Sequence, residues 1–226
     1  MSEAEARAEG RREAAPAALL ALLVFVVLAV VSRAKEWELL GLPWWIWLLV
    51  AVPSLLLTVD LALTQRGSGL VRSRRAALLL LGVLVLGNLT AVAILVAGLV
   101  TENTADLTGG ELLLTGFAIW AADVIVFGLC FWEVEAGGPI ARTRSPARTK
   151  RDFQFPQDEN PELGTEDWRP QVWDYLYVSL TNAIAFSPTD TMPLSLRAKA
   201  LMALESAISA VTVLLVAARA VNALGS

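Results

Sequence analysis

The sequence predicts an all-α integral membrane protein, a helical bundle of five spanning helices with a C-terminal half-helix that forms a re-entrant segment. Of its 226 residues, 56% are hydrophobic, and the mean hydropathy is +0.58. These residues form long blocks, and a helix needs roughly 20 apolar residues to cross about 30 Å of hydrocarbon. Backbone groups in lipid must be satisfied within the segment, which favours helices over strands. The blocks are Leu19–Val31, Trp44–Val59, Ala76–Val100, Leu112–Trp132 and Ala200–Ala218.

The chain divides into four regions by composition. Residues 1–15 form a charged N-terminal segment, and residues 16–136 form a four-helix transmembrane region. Residues 137–170 form a polar loop containing proline and glycine, which is a candidate docking surface for a protein partner. Residues 171–226 contain a pore-loop-like half-helix and the final transmembrane helix.

The composition excludes several kinds of chemistry. The chain has no histidine and one cysteine, so a structural zinc site with several Cys or His ligands cannot be built. Ser-His-Asp and Cys-His nucleophile arrangements are excluded for the same reason. A net charge of −4 gives no electrostatic basis for binding nucleic acid. We expect no cofactor and no metal.

Charges in two loops predict the orientation in the plasma membrane. Gln65–Arg75 carries four arginines and no acidic residue, whereas Thr101–Gly110 carries two acidic residues and no basic one. The positive-inside rule places the first loop in the cytoplasm and the second outside. The protein is therefore expected to be multi-pass, with the lipid bilayer as its environment. The side on which residues 137–170 lie, and the choice between five and six spans, stay open.

Three polar side chains lie inside apolar blocks, where ionisable groups are costly and suggest function. They are Asp60, Asn88 and Asp123. Asn88 is expected to hydrogen-bond to a neighbouring helix, and Asp123 lies mid-helix, where it has either a functional or a structural role. An intramembrane enzyme would use Asp123 with Glu133 or Asp60 as acid and base. No nucleophile motif accompanies these carboxylates, so the sequence favours a non-enzymatic protein.

The last helix carries a polar stripe on an otherwise apolar surface. Glu205, Ser209, Thr212 and Arg219 recur at i, i+4, i+7 and i+14, a spacing that places them on one helix face. Such a stripe either forms hydrogen bonds between helices or lines a path for water or ions.

A short apolar segment precedes this helix. Val172–Phe186 ends in a turn containing Ser187, Thr189 and Asp190. Irregular backbone is tolerated at membrane depth only where it lines a cavity or is buried in protein, and its oxygens can replace the water around a cation. The alternative is a short amphipathic helix on the membrane surface, with Asp190 capping the next helix.

This region resembles the pore helix, filter and inner helix of potassium channels over about a quarter of the chain. In that family a pore-helix threonine precedes a filter that ends in Gly-Asp, with a proline three residues later. Asp190 and Pro193 match this spacing, and Thr181 approximates the pore-helix threonine. Residues 185–189 contain neither of the filter glycines, so the resemblance does not imply potassium selectivity.

Most of the chain is similar to a family of uncharacterised bacterial multi-span membrane proteins. The resemblance implies a multi-span helical fold and no established activity. It is carried by Asp123–Leu129, Glu133 with Gly137–Pro139, Asp152–Gln157, and Ala185–Leu194 with Arg197–Lys199.

The leading functional hypothesis is a channel-like pore for ions. A single pore segment cannot enclose a conduction path, so the pore would be a homo-oligomer. The constriction would be bordered by Thr181, Ser187, Thr189 and Asp190, and the pore would be faced by Glu205, Ser209 and Thr212. The alternative is a structural or accessory subunit that docks a partner through residues 137–170.

Overall fold

Helices dominate the protein, which confirms the all-α prediction. The computed structural model describes residues 19–34, 43–63, 74–100, 109–138, 141, 150–160, 162, 164, 168–187 and 190–224. The main helices are α1 (Leu19–Ala34), α2 (Trp44–Leu63), α3 (Arg74–Val100), α4 (Gly109–Val134), α6 (Val172–Ala185) and α7 (Leu196–Leu224). The short elements are a 3-10 turn (Glu135–Gly137), α5 (Pro156–Glu159), β1 (Phe153–Gln154) and β2 (Met192–Pro193).

Two helices of the described chain are long and apolar enough to cross a membrane. These are Gly110–Gly137 and Leu196–Ala218, and the shorter apolar helices are Leu19–Ala34, Trp44–Leu56 and Leu81–Ala97. Of the five predicted spans, these two meet the requirements of length and composition. The N-terminal segment 1–15 and most of the two loops that carry the orientation signal, 64–73 and 101–108, lie outside the described residues.

Helix α4 is the centre of the fold and packs against α7, α6 and α3. Its side chains are buried on more than one face, including Ala122, Val126, Phe127 and Phe131. A helix that is apolar around most of its circumference is expected in the interior of a bundle. The predominantly apolar sequence of α4 therefore matches its central position.

Two glycines of α4 allow close approach of its neighbours. A Cβ on Gly128 would lie 2.7 Å from Leu176 Cδ2 and 3.0 Å from the Leu176 Cα of α6. A Cβ on Gly116 would lie 2.6 Å from both methyl groups of Val216 on α7. The absence of a side chain at these positions therefore sets the distance between α4 and its two partners.

Helix α6 is short and has defined ends. At its start, the Gln171 N–H donates to Asp174 Oδ2 at 2.7 Å, which caps the first turn. At its end, Phe186 adopts a left-handed conformation with φ 55°, a common way to stop a helix. The 14 residues correspond to about 21 Å of helix.

Helices α6 and α7 both run antiparallel to α4. Leu176 contacts Gly128 near the start of α6, and Ile184, near its end, lines a cavity with Gly116. On α7, Ser209 contacts Asp123, and the later Val216 contacts Gly116. The two helices therefore begin at the same end of α4.

The chain must return along α6 before α7 can begin. Phe186 lines the cavity near Gly116, whereas Met192 is already in β2 and pairs with Gln154 of β1. The strands are antiparallel, and the Leu194 N–H donates to the Asp152 carbonyl at 2.7 Å. The chain thus enters α6 and returns from it at the same end of the bundle. The turn between them lies near Gly116 of α4.

An aromatic cluster holds the described part of the 137–170 region on the bundle. The Phe153 ring lies 5.3 Å from Phe131 and 6.1 Å from Tyr175, between ring centroids. The Phe155 ring lies 5.4 Å from Tyr175 and 5.7 Å from Trp168. Both phenylalanines are buried, so this segment is packed against α4 and α6.

The close contact at Gly128 predicts the effect of a substitution. Gly128→Ala should lower the free energy of unfolding by about 1–3 kcal/mol, the usual cost of overpacking, because the new methyl group meets backbone as well as side chain of α6. Gly82→Ala is the matched control, since no atom lies within 4 Å of its Cβ. It should stabilise α3 by about 0.5–1 kcal/mol. Thermal unfolding of the purified variants measures both, and equal effects would contradict the packing described.

Candidate functional site

Polar side chains from four helices converge in the interior of the bundle, between α3, α4, α6 and α7. We call this group the buried polar cluster. It consists of Asn88, Asp123, Ser179, Asn182, Glu205, Ser206 and Ser209. All of these except Ser206, which is partly exposed, are buried.

Asp123 joins three helices within this cluster. Asn88 Nδ2 of α3 donates to Asp123 Oδ1 at 2.7 Å. The Ser209 hydroxyl of α7 lies 3.4 Å from Asp123 Oδ2, a long hydrogen bond. The interhelical hydrogen bond expected of Asn88 is therefore present, and its partner is the mid-helix aspartate.

Glu205 fixes α6 on α7. Asn182 Nδ2 donates to Glu205 Oε2 at 2.6 Å and also to the Met202 carbonyl at 3.0 Å. The Ser206 hydroxyl donates to Asn182 Oδ1 at 3.1 Å. The Ser179 hydroxyl contacts Glu205 Oε1 and lies 2.7 Å from the Val124 carbonyl of α4. Three helices are therefore locked in register at this point.

The two carboxyl groups of the cluster have neutral partners. In the described part of the chain, the ion pairs join Arg151 to Glu135 and Asp158, and Arg197 to Asp152. None of them involves Asp123 or Glu205. Both groups are held by amide and hydroxyl donors.

Three members of the polar stripe predicted on α7 face the interior of this single chain, and the side chain of the fourth, Arg219, lies outside the described set. The sequence hypothesis places Glu205, Ser209 and Thr212 on the wall of a pore. All three side chains are buried, and the first two bond to α6 and α4. The Thr212 hydroxyl has no hydrogen-bond partner among the described residues. Within one chain, the stripe therefore contributes to helix packing.

The other predicted pore residues lie in and after α6. The Thr181 hydroxyl donates to the Tyr177 and Val178 carbonyls of its own helix, at 3.0 Å each. Ser187 and Asp190 are exposed, and Thr189 lies outside the described residues. The turn therefore presents at least two polar side chains on the surface of the chain.

The carboxyl pair that the fold brings together is Asp123 with Glu205. Glu133 follows Asp123 by ten residues on the same helix, which corresponds to about 15 Å along its axis. Asp60 belongs to α2, and its side chain lies outside the described set. The enzyme alternative based on Asp123 with either residue thus gains no geometric support.

Sequence reasoning did not single out Ser179 and Asn182. Their signal is a spacing of three on one face of a short apolar helix, which brings the side chains together. That spacing shows which residues share a face, but only the packed structure shows that the face meets Glu205.

A second group of charged residues lies where α4 ends and α7 begins. We call Glu135, Asp152 and Arg197 the charged latch. Glu135 Oε2 accepts the N–H groups of Asp152 and Phe153 at 3.0 and 2.9 Å. In return, Asp152 Oδ2 accepts the Ala136 N–H at 2.8 Å. Each carboxylate therefore accepts backbone N–H groups from the segment that carries the other one.

Asp152 is the centre of the latch. Arg197 Nε and Nη2 contact its two oxygens at 2.5 Å each, and the Ser195 hydroxyl donates to Oδ1. Ser195 Oγ also accepts the Ala198 N–H at 3.2 Å, which caps α7. Burial raises the pKa of Asp152, but hydrogen bonds from Arg197, Ser195 and the Ala136 N–H outweigh it and lower the pKa below its ordinary value.

The latch also explains a sharp reversal after α4. Ala136 has φ 49°, and Gly137 and Gly138 have φ 84° and 96°. Left-handed backbone costs a residue other than glycine about 1–2 kcal/mol, so Ala136 needs compensation. The hydrogen bond from its N–H to Asp152 supplies it.

Three stretches that carry the resemblance to the bacterial membrane family meet near the latch. They contribute Gly137 and Gly138, which follow Ala136, and the latch residues Asp152 and Arg197. Sequence reasoning noted these stretches but did not single out Glu135 or Asp152 as candidate site residues. An acidic residue directly before each turn was the available signal.

A cavity of about 360 Å³ lies beside the end of α6. It is bounded by α4, α6 and α7, and its walls are almost entirely apolar. They include Leu113, Phe117, Trp120, Ile184, Phe186 and Val216.

No protein-family model, curated protein or solved structure matches this chain.

The latch predicts the effect of neutralising Asp152. Asp152→Asn replaces an acceptor oxygen with an amide nitrogen that faces the donors of Arg197, so the free energy of unfolding should fall by about 1–3 kcal/mol. The exposed Glu162→Gln is the control and should change it by less than about 0.5 kcal/mol. Chemical unfolding of the purified proteins measures both values.

The lowered pKa of Asp152 also predicts a dependence on pH. Because the unfolded pKa of aspartate is about 3.9 and the folded value is lower, the latch contributes fully above pH 4 or so. Its contribution is lost as pH falls through the folded value. Asp152→Asn should lack this acid-dependent part of the stability curve. An identical curve in variant and wild type would contradict the assignment.

Proposed function

We propose that the protein is a multi-span membrane protein of the plasma membrane that forms a channel-like pore for ions as a homo-oligomer. The observation that carries this proposal is the path of the chain around α6. A half-length helix starts at one end of the bundle, stops near Gly116 of α4 and is followed by a return to the same end.

The distribution of apolar side chains supports a membrane environment. Large apolar residues at least half exposed occur on the outer faces of α1, α2, α3, α4 and α7, whereas Asp123 and Glu205 are almost fully buried. Soluble monomers rarely expose extensive apolar surface. In a bilayer, the same surface faces lipid. Examples are Leu23, Leu49, Leu79, Phe117 and Leu214.

The length of α6 supports a re-entrant segment. At about 21 Å, it would stop inside a hydrocarbon layer about 30 Å thick. The turn at Phe186 would then lie at membrane depth, together with the exposed Ser187. Polar backbone at this depth requires protein or water around it, and a water-filled path between chains would provide that.

The end of α6 has the charge that a cation site requires. The last carbonyl groups of a helix carry a partial negative charge, and half-helices ending at membrane depth use it to hold cations. Ser187 and Asp190 add exposed oxygen atoms directly after this terminus. We therefore assign the constriction to the turn, with the exposed Ser187 and Asp190 bordering it.

The outer face of α6 provides a surface for a second copy. Trp173, Tyr177, Leu180 and Ile184 are exposed and follow the i, i+4, i+7, i+11 spacing of one helix face. Packing of this ridge on a neighbouring copy would close a ring around the turns. In this arrangement, Glu205 holds α6 from behind and Ser209 contacts α4, because both side chains are buried within their own chain.

A structural or accessory subunit is the second candidate. It is favoured by the buried polar cluster, since the carboxyl groups of Asp123 and Glu205 are bonded within one chain and need no ion path. The segment held by the latch would then be the docking surface, with Asp158 and Glu159 exposed on it.

Reconstitution of the purified full chain into liposomes tests the pore. We expect cation flux that falls about tenfold in Asp190→Asn, equivalent to about 1.4 kcal/mol in the barrier, because a carboxylate beside the constriction is neutralised. Glu162→Gln is the matched control, since it neutralises an exposed carboxylate outside the turn. Its flux should equal that of the wild type.

Two outcomes would contradict the pore. One is the absence of cation flux from folded protein, and the other is a monomer in native mass spectrometry from lipid nanodiscs. Either outcome would favour the accessory subunit. Loss of flux in Glu162→Gln as well would show that net charge, and not the turn, controls conduction.

A further inference from the structure

Asp123 and Glu205 present two acidic groups to one buried space. Ser209 lies one helical turn after Glu205 and contacts Asp123, so both carboxyl groups reach the same side of α7. No ion pair in the described part of the chain includes either group. Two unpaired negative charges in such a place would be strongly unfavourable, so at least one group needs a bound cation.

The two contacts of the Ser179 hydroxyl favour a proton on Glu205 as this cation. The Ser179 hydroxyl is 2.7 Å from the Val124 carbonyl oxygen and also contacts Glu205 Oε1. A hydroxyl carries one hydrogen, and a carbonyl oxygen can only accept. A Glu205 carboxylate would compete with the Val124 carbonyl for that hydrogen, and both contacts become hydrogen bonds at once if Oε1 carries a second hydrogen. A neutral carboxylic acid provides it.

An unpartnered acceptor oxygen belongs to the amide group that binds Asp123. Asn88 is 1% exposed, and its Oδ1 has no hydrogen-bond partner among the described residues. The nitrogen of the same amide group is bonded to Asp123 Oδ1, so the free acceptor lies beside that carboxyl group. A hydrogen arriving at Asp123 would have an acceptor already in place.

We propose that Asp123 and Glu205 form a proton-binding site, with the proton on Glu205 in the structure described here and Asp123 as the second carboxyl group. Release converts the Glu205 acid to a carboxylate and one free proton. The Ser179 hydrogen must then turn to Glu205 Oε1, which leaves the Val124 carbonyl without that donor. Proton release therefore loosens α6 from α4.

Among the described residues, the groups that surround Glu205 are neutral or acidic. Helix α4 contributes Asp123 and Cys130, with Glu133 also within electrostatic range of Cys130. Helix α6 contributes Ser179 and Asn182, and α3 contributes Asn88 to Asp123; none of these side chains titrates. On α7 itself, the adjacent polar groups are Ser206 and Ser209. If Asp123 and Glu205 were both ionised, no cationic side chain among these groups would stabilise the second charge.

Infrared spectroscopy of the full chain in lipid nanodiscs tests the site. With ¹³C-labelled glutamate, we expect the carbonyl band of an un-ionised carboxylic acid at neutral pH, and its loss in Glu205→Gln. Glu133→Gln is the matched control, a buried glutamate of α4 outside the cluster, and should keep the band. Labelling of aspartate instead of glutamate shows whether Asp123 takes the proton.

Glutamine makes the folding control informative. Its amide group can donate to Ser179 and accept from Asn182, as the neutral acid does, so Glu205→Gln should fold and melt as the wild type does. Hydrogen exchange of the α6 amides should accelerate at alkaline pH in the wild type beyond the intrinsic effect of base, and this excess should vanish in Glu205→Gln.

Three results would overturn the proposal. They are the absence of the acid band at neutral pH, a band that persists in Glu205→Gln, and failure of Glu205→Gln to fold. The site does not depend on the proposed pore, because it rests on contacts within one chain. Absence of flux in liposomes with the acid band present would reject the pore alone, and flux without the band would reject the proton site alone.

Discussion

The docking of α6 onto α4 and α7 is the interaction on which the rest of the structure depends. An isolated helix of 14 residues is marginal even for favourable sequences, so tertiary contacts must hold it. Gly128 lets its backbone approach α4 closely, and Glu205 binds Asn182 from the other side. If this docking failed, the turn at Phe186 would have no fixed position, and the return to β2 would lose its support.

The charged latch and the buried polar cluster constrain the same segment at different depths. The latch ties the start of α7 to the end of α4 through Asp152, whereas the cluster ties the middle of α7 to α6 and α4. Two separate attachments along α7 fix its rotation about its own axis and its position along the bundle. The helices therefore hold both ends of the segment from Phe186 to Leu194.

Sequence periodicity revealed the helices and the polar stripe but not their partners. Long apolar blocks predicted the all-α class, and an asparagine inside one predicted a bond across helices, which Asn88 makes. Pairing of Asp123 with Glu205, 82 residues apart in the chain, depends on the packing of α4 and α7, which a single sequence does not contain. The latch was missed because Glu135 and Asp152 look like ordinary charges beside turns, and their burial arises only when β1 folds back.

The use of polar contacts to dock α6 has a physical reason in a bilayer. Lipid chains are as apolar as leucine, so burial of apolar surface gives little preference for one helix register over another. Hydrogen bonds between Ser179, Asn182 and Glu205 are satisfied in one register only, and a shift by one turn would leave buried polar groups unpaired. A hydrogen on Glu205 would satisfy both contacts of Ser179 at once, so in our proposal the contacts that position α6 also form the proton site.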